Sequence, residues 1–353
     1  VMNPQNGGIY AMANVPEFDL NRPFELPEGT TCESEEMRQD LLNKMWRNAN
    51  VSDTYEPGST FKPVTVASAL EEGVVKDGDT YVCKGFETVA DYKLKCHVFS
   101  TIGSHGSLTV EQALMNSCNP YMIHLALEMG NSRFAYYQSL FGFGKITGID
   151  LPGETTGIVY GDRMTTIDAA CNSFGQTINV NMMQMMAAYC SIINGGMLYQ
   201  PHIVKRIESA NGEVVKEYKA NLVRQTITAS TSKLLRRYLK NTVEEGTAKK
   251  AGVTGYSVAG KTGTAQKGDR KDNKWIISFI GHAPAENPKF AIYVVIDEPY
   301  GTTGTSGSSA DVLTLTHNIL EKLLPYMNVY KDASDEYAVS YTHLRAHETT
   351  LHL

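Results

Sequence analysis

Two apolar runs stand close together late in the chain: Trp275-Ile276-Ile277-Ser278-Phe279-Ile280 and Phe290-Ala291-Ile292-Tyr293-Val294-Val295-Ile296. Both are rich in β-branched and aromatic residues, which favour strands. The segment between them, Gly281–Pro288, is far too short for a crossover helix. The two runs therefore predict an antiparallel pair of strands, and a further apolar run predicts another strand at Ile9–Val15.

Helical signals fill most of the chain between these strands. A Thr-x-x-Gln capping box begins a helix at Thr109, and glycines that follow periodic segments mark helix ends. We therefore predict an α+β fold, with an antiparallel sheet built from the N- and C-terminal segments, flanking helices and an all-helical lobe. The predicted helices are Ser34–Trp46, Thr60–Glu72, a short helix after Thr109, Pro120–Glu128, Asn181–Ile193, Ser230–Glu245 and Ser309–Leu324.

Composition narrows the classes of function. The length of 353 residues allows two compact units, or one large unit with an inserted lobe. The formal net charge of -6 argues against nucleic acid as a partner, because phosphate binding needs a basic face. No run approaches the roughly 18 apolar residues that a membrane helix requires.

A first candidate motif lies in Tyr55–Pro63, which contains Ser59-Thr60-Phe61-Lys62. Proline is tolerated in the first turn of a helix, so Pro63 places a helix start near Ser59. Residues three apart share a helix face, which brings the Lys62 amine towards the Ser59 hydroxyl. This is the arrangement of an activated nucleophile, provided that burial or nearby positive charge lowers the lysine pKa. Ser-x-x-Lys alone is a weak pattern.

A second motif, Ser117-Cys118-Asn119, lies between two predicted helices, and Pro120 begins the second of them. A short loop at this place can direct Ser117 and Asn119 into a cleft. Taken alone, the pattern also fits an ordinary helix cap.

The third motif, Lys261-Thr262-Gly263-Thr264, has two interpretations. With Gly255 and Gly260 it fits the phosphate-loop pattern of ATPases, G-x-x-x-x-G-K-[ST]. A phosphate loop must be followed by a helix, however, and the residues after Thr262 have no helical periodicity. In the other interpretation the segment is an edge strand, in which Gly263 lets a substrate backbone approach and the threonine hydroxyls grip a carboxylate.

The six cysteines form no Cys-x-x-Cys pair, so we predict no bound zinc. Cys118 lies between two candidate site residues, and it is either an apolar filler or a redox partner of Cys96 or Cys83. Alternatively, Cys83 and Cys96 pair with each other and staple a surface loop. The last residues, about 339–353, resemble a translated sequencing adapter, and we expect their His343, His347 and His352 to have no role as metal ligands.

Together, Ser-x-x-Lys, Ser-x-Asn and Lys-Thr-Gly in this order resemble the motif set of penicillin-binding proteins and serine β-lactamases. The sequence around these motifs is similar to the transpeptidase domain of class B penicillin-binding proteins of the division, elongation or sporulation type, over about residues 1–330. The similar segments are Asp53–Lys62, Gly148–Glu154, Ser173–Gln176 and Ala259–Gln266.

This resemblance implies a catalytic set. Ser59 would attack the D-Ala-D-Ala carbonyl of a peptidoglycan stem peptide, and Lys62 would accept its proton. Ser117, hydrogen-bonded towards Lys62 and Lys261, would relay a proton to the leaving D-alanine, and Asn119 would hold the substrate amide.

The third motif would supply the substrate site. Lys261, Thr262 and Thr264 would bind the terminal carboxylate, while the N–H groups of Ser59 and Thr264 would form the oxyanion hole. An amine of a neighbouring stem peptide would then form the cross-link, without a cofactor. β-Lactams would mimic the donor and stall as esters of Ser59.

The resemblance also implies a larger protein. We expect one domain over residues 1–330, a tail over 331–353, and a missing upstream membrane anchor and pedestal domain. The parent would face outward from the cell membrane and work with a glycan polymerase.

Three related activities remain as alternatives: a serine β-lactamase, a D,D-carboxypeptidase and a non-enzymatic β-lactam sensor. A β-lactamase needs a dedicated base for fast hydrolysis, usually a glutamate. Here Glu154 follows a Leu-Pro-Gly turn, and this stretch resembles the sequence of penicillin-binding proteins rather than that of a β-lactamase.

Overall fold

The computed structural model describes residues 1–268, 274–299 and 308–333. Within these ranges no helix combines the length and apolar character needed to cross a membrane. The helices are α1 Glu35–Trp46, α2 Ala49–Ser52, α3 Lys62–Glu72, α4 Val110–Met115, α5 Asn119–Met129, α6 Asn131–Leu140, α7 Thr166–Asn172, α8 Met182–Ile193, α9 Ala229–Glu244 and α10 Ala310–Tyr326. The strands are β1 Thr80–Cys83, β2 Phe86–Val89, β3 Tyr92–Lys95, β4 Gly106–Thr109, β5 Met197–Tyr199, β6 Arg206–Glu208, β7 Val214–Glu217, β8 Leu222–Gln225, β9 Ala259–Lys267, β10 Lys274–Ala283 and β11 Phe290–Asp297.

The main sheet has the strand order β11-β10-β9, and both pairings are antiparallel. Ile277 at its centre pairs with Ile296 on one side and Thr264 on the other. The predicted pairing of the two late strands is therefore confirmed. Among the strands of the described residues, β9 pairs with β10 alone, and its other backbone edge faces the rest of the molecule.

The predicted strand over Ile9–Val15 is wrong. To the main sheet the N-terminal segment contributes an isolated antiparallel bridge, in which Met2 and Ala291 exchange two backbone hydrogen bonds of 2.9 and 2.8 Å. A tight turn at Gly7, whose φ is +83°, folds the chain back before a strand can form. The backbone N–H groups of Tyr10 and Ala11 then both donate to the Val1 carbonyl, and the segment leaves the sheet.

The helix signals in the sequence are confirmed at both ends of several helices. Ser34 caps α1, and Thr109 and Gln112 complete the capping box of α4. Gly73 ends α3 with φ of +76°, a conformation that glycine adopts without a steric penalty.

Side chains of the main sheet take part in two large apolar cores. One core, which includes Phe279, Phe290 and Leu320, joins β10 and β11 to α10. The other surrounds α3, whose residues 62–69 are all buried, and includes side chains of α5 and α8. The packed chain continues past the expected boundary at residue 330, since the Asp332 carboxylate accepts a 2.7 Å hydrogen bond from the Ser257 N–H. The expected adapter-like tail at 339–353 lies outside the described residues.

Four smaller strand pairs were absent from the sequence prediction. Two of them, β1 with β4 and β2 with β3, lie between α3 and α5 along the chain. Each strand has only four residues, and such short runs give little periodic signal.

Candidate active site

A 3-10 helix, Gly58–Phe61, carries Ser59 directly before α3. The helix start predicted near Ser59 is therefore confirmed, with Lys62 as the first α-helical residue. The Gly58 N–H donates a 3.0 Å hydrogen bond to the Gly175 carbonyl. Gly58 has φ of +56°, and a Cβ there would lie 2.7 Å from the Thr264 carbonyl oxygen. Only glycine lets the 3-10 helix approach β9 this closely, and the half-buried Ser59 lies beside that contact.

Lys62 is completely buried, and its ammonium donates hydrogen bonds to three oxygens of the second motif. The distances from Nζ are 2.6 Å to the Ser117 carbonyl, 3.0 Å to Ser117 Oγ and 2.7 Å to Asn119 Oδ1. Burial lowers the pKa of Lys62 to about 8, partly offset by the sulfurs of Cys96 and Cys118. The amine is therefore partly neutral near neutral pH, as a proton acceptor requires.

The second motif is held in an unusual backbone conformation. Ser117 is buried and has φ of +56°, a region that non-glycine residues rarely adopt. Cys118 is the N-cap residue of α5, and Asn119 begins that helix. The Asn119 Nδ2 group also donates to the Lys95 carbonyl at 3.3 Å. The loop thus directs both predicted polar side chains to Lys62.

The third motif lies on β9, which is an edge strand as predicted. Lys261 is completely buried, and its Nζ donates to the Thr262 carbonyl at 3.1 Å. Burial, and then the charge of Lys62, hold the pKa of Lys261 well below its ordinary value. Thr262 is buried beside Thr247, with 3.4 Å between their hydroxyl oxygens, and Thr264 is half-buried.

Gly263 also makes a close contact within the protein, and its predicted role towards a substrate backbone stays a prediction. A Cβ at this position would collide with Ser278 Oγ and lie 2.9 Å from both the Pro57 carbonyl and Thr60 Cγ2. The close approach is therefore between β9 and the protein's own 3-10 helix.

The phosphate-loop interpretation is wrong. Lys261 and Thr262 lie inside the continuous strand β9, which runs from Ala259 to Lys267, and no helix begins after Thr262 within that span. Asp297 ends β11, which is antiparallel to its neighbour β10. A nucleotide-binding loop needs a strand-to-helix turn, which this segment does not form.

The Glu154 carboxylate stabilises the loop that contains Thr147 and Gly148. Its carboxylate accepts hydrogen bonds from the Thr147 N–H at 2.7 Å, the Thr147 hydroxyl at 2.6 Å and the Gly148 N–H at 3.0 Å. These bonds account for both oxygens.

The three cysteines named from the sequence, Cys83, Cys96 and Cys118, come together as free thiols. His105, which the sequence interpretation did not select, lies with them. Sequence reasoning also missed Thr247 beside Thr262, and the Tyr55–Tyr293 hydrogen bond of 2.6 Å behind the 3-10 helix. Their partners are far away in sequence, so no local pattern marks them.

Comparison with known proteins matches this arrangement to one family. Residues 1–321 match the model of the penicillin binding protein transpeptidase domain. Stage V sporulation protein D of Bacillus subtilis is 39% identical over 93% of this chain and 49% of its own length. Peptidoglycan D,D-transpeptidase FtsI of Escherichia coli is 30% identical over 94% of this chain and 52% of its own length.

A solved structure of Mycobacterium tuberculosis penicillin-binding protein 3, complexed with ampicillin, has a TM-score of 0.80 and 28% identity. The match covers 94% of this chain and 72% of that one. The chain belongs to the penicillin-binding protein transpeptidase family. It spans about half the length of the curated relatives it matches.

Proposed function

We propose that this chain is a serine-type peptidoglycan D,D-transpeptidase domain that β-lactams inhibit. The proposal rests on Lys62, which lies three residues after Ser59. Its side chain is completely buried and donates hydrogen bonds to Ser117 and Asn119. A buried amine of lowered pKa beside a hydroxyl at a helix start is suited to covalent acyl transfer.

In the first step, neutral Lys62 accepts the Ser59 proton as Oγ attacks the carbonyl carbon between the two D-alanines. The proton then passes through Ser117 to the departing amine, and D-alanine leaves as the Ser59 ester forms. In the second step, an amine of another stem peptide attacks this ester and gives a proton to Lys62, which passes it to Ser59 Oγ as the ester C–O bond breaks, so that Ser59 and neutral Lys62 are both regenerated. Asn119 orients the donor amide.

Substrate binding falls to β9. Thr262 and Thr264 hydroxyls and the Lys261 charge attract the donor carboxylate, and the N–H groups of Ser59 and Thr264 stabilise the oxyanion. Beyond Thr264 a cleft continues along Ala265–Gly268, with residues of Thr54–Glu56 and Gln176–Asn179 also lining it. This cleft has room for the peptide chain preceding the D-alanines.

β-Lactams enter the same site and acylate Ser59. We expect the ester to persist, because Glu154, the glutamate considered as the base of a β-lactamase, is engaged with Thr147 and Gly148. The ampicillin complex of the mycobacterial relative supports this behaviour.

The parent protein would be anchored in the cell membrane by a preceding segment, with this domain on the outer face beside a glycan polymerase. The partial coverage of the relatives supports a larger parent. Peptidoglycan cross-linking takes place outside the membrane, which places the domain there.

The test is donor–acceptor chemistry. A stem pentapeptide ending in D-Ala-D-Ala, supplied with an amine acceptor such as a D-amino acid, should release D-alanine and yield the exchanged peptide. Ser59→Ala should abolish both products. Release of D-alanine with water as the sole acceptor would instead assign a carboxypeptidase, and absence of D-alanine release by folded protein would contradict the proposal.

A further inference from the structure

Three cysteines and one histidine converge beside the second motif. The ligand atoms of Cys83, Cys96, His105 and Cys118 all lie within 4.8 Å of one another. His105 Nδ1 is 3.8 Å from Cys83 Sγ and 3.6 Å from Cys96 Sγ. The cysteines are buried and His105 is half-buried. We call these four residues the Cys3His cluster.

The cluster is assembled from four separate places in the fold. Cys83 ends β1, Cys96 follows β3, His105 precedes β4, and Cys118 caps α5. Ligands this far apart give no Cys-x-x-Cys signal. The absence of that pattern therefore gave no reason to exclude zinc at this site, because a metal ion needs its ligands to be close in space and not in sequence.

The donor set and its spacing fit one kind of ion. Tetrahedral zinc, with Zn–S near 2.3 Å and Zn–N near 2.0 Å, places its ligand atoms about 3.6–3.8 Å apart. The two sulfur–nitrogen distances already have these values. Thiolates and imidazole together favour zinc among the common divalent ions, and four protein ligands make a closed, structural site. We propose that the Cys3His cluster binds one structural zinc ion.

The surrounding backbone favours the thiolates that zinc requires. The Gly85 N–H donates to Cys83 Sγ at 3.4 Å. Cys118 is the N-cap residue of α5, and a helix N-terminus adds favourable partial positive charge near its sulfur.

A disulfide explains the cluster less well. It would join two of the three cysteines and leave the third thiol and His105 without a role. Zinc accounts for all four residues at once. The two states exclude each other, since an oxidised pair cannot supply two thiolates.

The metal would act on the second motif through Cys118. Cys118 lies between Ser117 and Asn119, and both neighbours contact Lys62. Ser117 has a positive φ, a strained conformation that persists only where the surrounding structure holds it. Zinc bound at Cys118 would hold this loop in place, which makes the cluster a positioning site. This consequence rests on the proposed function, whereas zinc binding does not.

Metal binding is tested directly on the full chain, reduced and stripped with a chelator. Titration with Zn²⁺ alone should show one tight site per chain, and Co²⁺ should give the absorption bands of tetrahedral thiolate coordination. Cys83→Ser and His105→Ala should each weaken binding at least tenfold, in keeping with loss of a ligand. Cys32→Ser and Cys190→Ser, which alter cysteines outside the cluster, should leave it unchanged. The wild-type titration needs no variant to fold.

Absence of a stoichiometric site in the folded, reduced wild-type chain would overturn the proposal. So would binding that the two ligand variants do not weaken, or a native mass lower by two hydrogens with cluster cysteines joined in a disulfide. Penicillin acylation should slow on metal removal and recover with Zn²⁺; an unchanged rate would overturn the positioning role. Zinc-loaded protein that never acylates would contradict the proposed function and leave the metal site standing.

Discussion

Lys62 shows how burial converts an ordinary residue into a candidate base. Its ammonium has three hydrogen-bond acceptors, so the charged form is accommodated, yet burial still lowers the pKa to about 8. Burial, and then repulsion by the charge of Lys62, lower the pKa of Lys261. A substrate carboxylate that pairs with Lys261 would relieve this repulsion.

The lowered pKa predicts how acylation depends on pH. Only neutral Lys62 can accept the Ser59 proton, so the rate should rise with pH through about 8 and level off above it. Stopped-flow acylation by a fluorescent penicillin, corrected for spontaneous hydrolysis, measures this profile. Lys62→Gln should slow acylation by about 10²- to 10⁴-fold and remove the rise. A wild-type rate that is flat between pH 6 and 9 would exclude Lys62 as the base.

At the scale of elements, the contact between β9 and the 3-10 helix brings the first and third motifs together. Gly58 and Gly263 form this contact from opposite sides, since a Cβ on either would meet the backbone of the other element. The motifs are about 200 positions apart in sequence, and a pair of glycines sets their separation in space.

Gly263→Ala should therefore separate these elements. The added methyl group would overlap Ser278 Oγ and crowd Pro57, which should cost about 1–3 kcal/mol of stability and slow acylation strongly. Gly252→Ala is the matched control, because its nearest contact would be 3.2 Å from the Lys249 carbonyl. Urea unfolding and penicillin acylation measure the two effects. Equal results for both variants would show that the close approach does not matter.

The packing of β10 on α8 depends on another buried titratable group. His282 Nε2 donates to the Ala285 carbonyl at 3.1 Å, and Nδ1 accepts from the Tyr189 hydroxyl at 2.8 Å. The neutral ring satisfies both nitrogens. Burial accordingly lowers the pKa of His282 to about 3.

The lowered pKa of His282 predicts that the folded protein loses stability in acid. The unfolded chain binds the proton at pH below about 6.5 and the folded chain only near 3, so stability is lost as pH falls through this window. The free energy of unfolding should fall by up to about 1.4 kcal/mol per pH unit through this group. His282→Gln should reduce that slope, measured by urea unfolding from pH 7 to 4, whereas His124→Gln on α5 is the control. Identical slopes in wild type and His282→Gln would contradict it.

For the whole molecule, sequence patterns predicted the structure correctly where a feature depends on residues that are neighbours in the chain. The capping box at Thr109, the helix end at Gly73 and the hairpin of β10 and β11 all follow from neighbours in sequence. The three motifs likewise identified the residues now found around Lys62.

The sequence could not predict features that depend on contacts between residues far apart in the chain. His105 joins the cysteines only because four elements converge, and Gly263 is required by Pro57 and Ser278. The Ile9–Val15 run has a strand composition, yet an early turn carries it away from the sheet. Short strands such as β1 exist because they pair, not because their residues are periodic.

The central claim is that Ser59 forms a lasting ester in this site. Intact-protein mass after incubation with benzylpenicillin, followed over time beside Ser59→Ala, tests it most directly. The account predicts one penicillin adduct per chain that survives desalting and is absent from the variant. No adduct on folded wild-type protein, or an adduct that persists in Ser59→Ala, would contradict it.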